Sequence, residues 1–237
     1  MKSASVLCLL IIFCTANATI LDILLNQIRK TKLTVGSTIE EVQRTRNNTQ
    51  QDVDQSIINS WQQQKKKHSD YANTVLNTIR KKVENAEAKG KDARHCYDTI
   101  QSVFHSIDYA SHNSAQQCQE CGKQSIKTEL SFIKSIIETG YKQMEELDKI
   151  FPECYKKYPN IIDIFKLHSC IRKQLKISKD ALKKLKAEAN SAKVKAKFAS
   201  KVVVEQAISC LKDPYSIARK EIEKAKSFAI NCVDRVM

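Results

Sequence analysis

Apolar residues return along this chain in alternating steps of three and four, over tens of residues with few interruptions. One tract passes through Ile58, Trp61, Lys65, His68, Ala72, Val75, Ile79, Lys82, Ala86, Lys89, Ala93, Cys96, Ile100, Val103, Ile107 and Ala110. A second runs Ile126, Leu130, Ile133, Ile137, Gly140, Met144, Leu147, Phe151. A third extends from Ile161 through His168, Leu175, Ser178 and Leu185 to Cys210, and a fourth from Ala218 to Val236. This spacing gathers apolar side chains into one stripe and predicts helices packed along left-handed seams. The phase crosses Gly90 without a slip, which predicts a surface position inside a continuous helix.

Capping signals divide the pattern. Ser37 with Glu40, and Asn113 with Gln116, have the spacing of a capping box. Asp213 before Pro214 places a capping carboxylate ahead of a proline suited to the first helical position. Pro152 and Pro159 bracket a turn, and Asn160 follows as a candidate cap. The expected helices therefore lie near 20–34, 38–112, 114–150, 160–212 and 214–235, with room for a bend at Asn47-Asn48.

Only four Gly and three Pro occur in 237 residues, too few to punctuate β-hairpins. The expectation is an all-α chain: an elongated bundle of long coiled-coil-like helices forming one domain over residues 19–237. Its seam is thin. Ala189, Ala192, Ala196 and Ala199 fill four successive layers of the third tract. At roughly 25 cal/mol per Å² an Ala layer contributes far less than a Leu layer. Disulfides are the expected compensation.

Cysteine usage fits that picture. Lys2, the apolar run Val6 to Phe13 and the small residues Ala16-Asn17-Ala18 read as a secretory leader over residues 1–18, cleaved before Thr19. The run is much shorter than the roughly 20 residues of a membrane span, and no later segment qualifies. Cleavage removes Cys8 and Cys14 and leaves Cys96, Cys118, Cys121, Cys154, Cys170, Cys210 and Cys232. On an oxidising export route these should form bridges, with one odd sulfur left buried or linking two chains in a homodimer. If the last helix turns back at Asp213, Cys232 comes level with Cys118 and Cys121 and can pair with either. Cys210 and Cys232 should not pair. Cys154 and Cys170 pair only if the loop through Pro159 climbs the following helix.

Charge adds a candidate surface. Without the leader, 39 basic side chains face 26 acidic ones, a net +13. Lys183, Lys186, Lys193, Lys197 and Lys201 fall on one side of the third tract, and Lys65-Lys66-Lys67 form a second cluster. Both suit contact with a polyanion, though either serves equally as a solvated helix face. Few aromatics accompany them, so base stacking has little support. Asn47-Asn48-Thr49 is an acceptor sequon, making Asn47 a glycosylation candidate.

Catalytic constellations are hard to find. Cys118-Gln119-Glu120-Cys121 is a CxxC, but no strand precedes it as a redox pair would require. His95, Cys96, His112, Cys118 and Cys121 include zinc-type ligands at a spacing that matches no standard zinc module. There is no Gly-x-Ser-x-Gly elbow and no Gly-rich phosphate loop. The expectation is a non-enzyme with no cofactor and no metal. Ile20, Leu21, Ile23, Leu24, Leu25 and Ile28 could line a small hydrophobic ligand's cavity, dip into a membrane surface, or simply pack across the bundle.

The leader, the helical length and the spacing of Cys96, Cys118-x-x-Cys121, Cys154 and Cys170 resemble the insect secreted family that carries the TsetseEP domain, over roughly residues 50–180. The resemblance implies an extracellular protein of gut, haemolymph or secretion. It supplies no catalytic residues. Together these readings point to a secreted, non-enzymatic, disulfide-stabilised helical protein of interaction or structure, whose partner is an extracellular protein or polyanion. A carrier of a small hydrophobic ligand and a polyanion-binding factor are the alternatives.

Overall fold

A computed structural model describes residues 2–237, with side chains from Thr19 onward, Ile161 excepted. The side chains of the expected leader, Cys8 and Cys14 included, lie outside the described residues. Four α-helices and one 3₁₀ turn account for nearly all of the chain: α1 Lys2–Glu87, α2 Arg94–Glu129, α3 Phe132–Lys157, a turn Ile161–Asp163 and α4 Ile164–Val236. The protein is an all-α helical bundle cross-linked by disulfides. Among the described residues, no helix is long and apolar enough to cross a membrane.

The chain divides into two compact units. Of the described residues, unit 1 takes 2–48 and Leu130–Lys197, and unit 2 takes Thr49–Glu129 and Phe198–Met237. Each is a three-helix bundle. In unit 1, Lys32 meets Asp148 and Ile39 meets Gly140, so α1 and α3 are antiparallel. Lys179 reaches Gln27 and Lys193 reaches Glu41, so α1 and α4 are parallel. Leu24, Ile28, Val35, Ile39, Leu147, Ile171 and Leu185 form its core. Ile20, Leu21 and Leu25 pack against that core, so the apolar first segment is used in packing. In unit 2, Val75, Ile79, Val83, Cys96, Ile100, Phe104, Ile222 and Val233 form a second core. The four Ala layers are buried as expected.

Several helix boundaries differ from those the sequence suggests. Gly90 ends α1 instead of lying within a helix. Its φ is +75°, the Gly90 N–H donates to the Glu87 carbonyl (2.8 Å), and the Lys91 N–H donates to that of Ala86 (3.1 Å). That is a Schellman motif with glycine at the left-handed position. The seam phase survives because the break is followed by a new helix that re-enters in register.

The expected stops at Ser37, Asn113 and Asp213-Pro214 do not occur. Ser37 donates to the Thr34 carbonyl within the helix rather than capping a new one. Pro214 lies inside α4 and Pro152 inside α3. Each proline removes the hydrogen bond to the carbonyl four residues back. Those carbonyls belong to Cys210 and Asp148, residues on the exposed side of their helices. The break between α2 and α3 at Leu130-Ser131 has no Gly or Pro to announce it.

The seam of α2 follows an eleven-residue rhythm. Its inward positions are Cys96, Ile100, Phe104, Ile107, Ser111, Ala115, Cys118, Gly122 and Ile126, in phase with Ala93 just before the helix, all buried except half-buried Ile107. The steps repeat as three, four, four. Val103 and Ala110, expected inside, face outward, with Val103 39% exposed. An undistorted helix has about 3.6 residues per turn, close to eleven residues in three turns, so this face stays inward with little supercoiling.

Candidate functional site: a polar core layer and the groove above it

Three disulfides are present: Cys96–Cys232, Cys118–Cys210 and Cys154–Cys170. Cys210 and Cys232 do not pair with each other, as expected. Cys232 does not meet Cys118 or Cys121, because α4 continues through Pro214 instead of turning back. Cys154 and Cys170 join across the loop that carries Pro159. Cys121 is free and exposed, so it is the odd sulfur. Cys210 is exposed and Cys232 half-buried, yet both face α2 and are bonded to it.

Cys96 and Cys118 are 22 residues apart on α2, and Cys210 and Cys232 are 22 residues apart on α4. Twenty-two residues are two eleven-residue repeats, which returns both cysteines of a helix to the same face. At 1.5 Å per residue the two bridges lie about 33 Å apart along each helix. They enclose chain separations of 136 and 92 residues, and Cys154–Cys170 one of 16. Loop closure alone suggests about 3 kcal/mol for the shortest and about 5 kcal/mol for the longest. The loops are nested, so these contributions do not add.

Unit 2 also carries a polar layer. His68 on α1 is buried, and its Nε2 lies 3.3 Å from Asp108 Oδ1. His112 Nδ1 lies 3.2 Å from the same oxygen and 2.7 Å from the Asp108 carbonyl. Both ring nitrogens face acceptors, so each carries a proton there. The opposite nitrogens, His68 Nδ1 and His112 Nε2, are buried with no hydrogen-bond partner among the described residues. Tyr215 on α4 packs on both rings, with centroids 5.3 Å from His68 and 5.9 Å from His112. Its hydroxyl accepts from Trp61 Nε1 at 2.9 Å.

Burial pushes the His68 pKa below its ordinary value. Asp108 opposes that shift and His112 adds to it. Burial raises Tyr215, partly offset by the Trp61 hydrogen bond. Ser111 stands beside this cluster but donates its hydroxyl to the Asp108 carbonyl at 2.9 Å, so it forms no Ser–His–Asp relay here. Sequence reading placed His68 on the seam. It missed Asp108 and Tyr215 because both belong to the layer only through partners on other helices.

Above the layer, α1 and α4 leave an open groove of about 560 Å³, lined by Gln64, Lys67, His68, Asp70, Tyr71, Thr74, Lys212, Tyr215, Ser216 and Arg219. The Arg219 guanidinium sits 4.3 Å from the Tyr71 ring centroid, a cation–π contact that fixes it. A neighbouring depression of about 660 Å³ shares Gln64, Lys67 and Lys212 and adds Asn59, Ser60, Gln63 and Ile208.

The lysine stripe of α4 is partly neutralised. Lys183 pairs with Asp180 at 3.4 Å, Lys193 with Glu41, and Lys201 with Glu205 at 3.9 Å. Among the described residues Lys186 and Lys197 have no carboxylate partner. Asn47 is exposed on α1. The candidate metal ligands of α2 do not converge. Among the described residues one grouping remains, His95 Nε2 at 3.5 Å from Cys96 Sγ and 3.6 Å from Cys232 Sγ. Both sulfurs are spent in a disulfide and offer no thiolate.

No family model matches the chain, and no curated protein matches it. Among solved structures it is similar to a computationally designed three-helix bundle, at 16% identity and a TM-score of 0.43, over 93% of this chain and 99% of that one. A likeness of that size carries no functional weight.

Proposed function

We infer that the chain is a secreted, non-enzymatic helical protein whose task is structural or one of interaction, with disulfides holding its surfaces in place. The matched bridges of unit 2 carry this reading. Two cross-links at equal spacing on α2 and α4 fix those helices in one register. Three bridges over a seam rich in Ala suit an oxidising compartment, where they persist. The leader-like residues 1–18, and the resemblance of the cysteine spacing to the TsetseEP-domain family, favour export and an insect secretion. Expression with the leader intact in an insect cell line tests it. The protein is expected in the medium, beginning at Thr19, with all three bridges closed. Retention in the cytoplasm with reduced cysteines overturns it.

A second reading, polyanion binding, is favoured by one observation. Lys67, Lys212 and Arg219 line a single groove and have no carboxylate partner among the described residues. Heparin chromatography tests it, and elution below physiological salt counts against it. Covalent pairing of two chains through exposed Cys121 belongs to the same proposal, and a reducible dimer on a non-reducing gel is its required sign.

A further inference from the structure

The lysine stripe of α4 is spoken for by acids at three of its five positions. The groove of unit 2 is different. Three cations rise from its rim, Lys67 on α1 with Lys212 and Arg219 on α4, against one lining carboxylate, Asp70. An excess of unpaired positive charge in a concave site focuses the field on an incoming anion. Arg219 is held over Tyr71 rather than left to sweep through solvent. That lowers the ordering cost when it meets an oxyanion.

The remaining lining narrows the ligand. The adjoining depression continues the trough past Gln64 toward Asn59, adding the amide of Gln63 and the hydroxyl of Ser60. From Asn59 to Thr74 the trough follows α1 for about 22 Å. Amides and hydroxyls beside cations suit a chain that carries both anionic groups and hydroxyls. A lipid tail would find Ile208 as the one aliphatic side chain of the lining. A nucleic acid base needs an open aromatic face. Tyr71 is covered by Arg219, and Tyr215 is buried against the two histidines.

We propose that the α1–α4 groove of unit 2 binds a sulfated saccharide chain, with Lys67, Lys212 and Arg219 contacting its sulfates and the Gln64–Asn59 end contacting its hydroxyls. This deepens the polyanion reading by giving it a site and a ligand class. It also moves the contact away from the α4 stripe.

Calorimetric titration of the full chain with a heparin-derived hexasaccharide, at about 0.15 M salt, tests it. The variant Lys67→Ala/Lys212→Ala/Arg219→Ala is compared with the control Lys183→Ala/Lys186→Ala/Lys197→Ala. The groove variant should bind about tenfold more weakly or worse, while the control stays within about twofold of the native chain. The double variant Lys67→Gln/Lys212→Gln, which leaves the Arg219–Tyr71 contact intact, should lose affinity in the same direction. It decides the matter if the triple variant melts early. Native binding that the control weakens and the groove variants spare overturns the site while leaving the polyanion reading in place. No binding by the native chain overturns both. Equal binding of the desulfated hexasaccharide, or equal competition by single-stranded DNA, overturns the ligand class.

Discussion

Trp61 on α1 donates its indole N–H to the hydroxyl of Tyr215 on α4 at 2.9 Å, across a separation of 154 residues. This places the chain's single tryptophan beside the polar layer of unit 2. Removing the hydroxyl with Tyr215→Phe leaves a half-buried N–H without its acceptor. Such a loss costs about 1 kcal/mol. Urea titration followed by tryptophan emission should show a lower midpoint, with an altered emission in the folded state. An unchanged midpoint and spectrum would mean that Trp61 is satisfied by solvent.

Acid should weaken the fold through His68. Its folded pKa lies below the ordinary 6.5 because burial disfavours the imidazolium, although Asp108 draws it upward. His168 in unit 1 is lowered in the same way by burial, with Arg172 adding to the shift. Below pH 6.5 the unfolded chain takes up these protons before the folded chain does. Stability is therefore complete above pH 6.5 and declines as pH falls from there toward the folded values. Thermal melts between pH 7.5 and 5 should show Tm falling. In His68→Gln, which keeps a donor for Asp108 but does not titrate, the decline should be shallower. A native Tm flat across this range would refute the assignment.

In the monomer, Cys121 should be the one readily alkylated thiol among residues 19–237. Iodoacetamide applied before reduction, followed by peptide mapping, should mark it and leave the other six cysteines unlabelled. Cys121→Ser should change stability by no more than about 0.5 kcal/mol, as exposed substitutions usually do. Cys118→Ser should cost several kcal/mol, since it opens a native cross-link. Label at Cys118 or Cys210 in the native protein would contradict the pairing.

Gly140 is a close-approach site between helices of unit 1. A Cβ there would lie 2.6 Å from Ile39 Cγ1 and 3.5 Å from Leu185 Cδ2. Ile39 is β-branched and 4% exposed, so it has few ways to yield. Gly140→Ala gains about 1 kcal/mol of helix propensity but overpacks at a cost of about 1–3 kcal/mol. The expected net effect is destabilising, seen as a lower Tm. A stabilised variant would show that α1 and α3 can part at that point.

The helical class was legible because Gly and Pro are scarce and the apolar period never leaves the helical range. The disposition of the helices was harder to read, for local reasons. Asp213-Pro214 looks like a helix start, yet α4 runs on through Pro214, four residues past the exposed Cys210. Gly90 looks like a passenger because the seam phase is continuous, yet its left-handed backbone closes α1. Val103 and Phe104 are equally good apolar candidates, and an eleven-residue rhythm selects Phe104 where a seven-residue one selects Val103. The cysteine pairing then followed the topology, since bridges depend on which helices run side by side. The groove was invisible for the same reason. Lys67 stands out only as part of the Lys65-Lys66-Lys67 cluster, and Lys212 and Arg219 are unremarkable helical charges until α1 and α4 lie parallel.

The two bridges of unit 2 close α2 and α4 into a covalent ring with arms of 22 residues each. Within that ring neither helix can slip by a turn or swing away while both bridges stand. The third wall of the bundle, residues 49–87 of α1, contains no cysteine and is held by packing, hydrogen bonds and ion pairs such as Lys82–Asp234, with no cross-link of its own. Unit 2 is built as a closed hoop with one stave that no disulfide ties. Transient opening in water should begin with that stave, and amide hydrogens there should exchange before those of α2. The stave carries Lys67, His68 and Tyr71, so whatever settles in the groove also clasps the one helix of the unit that no disulfide holds.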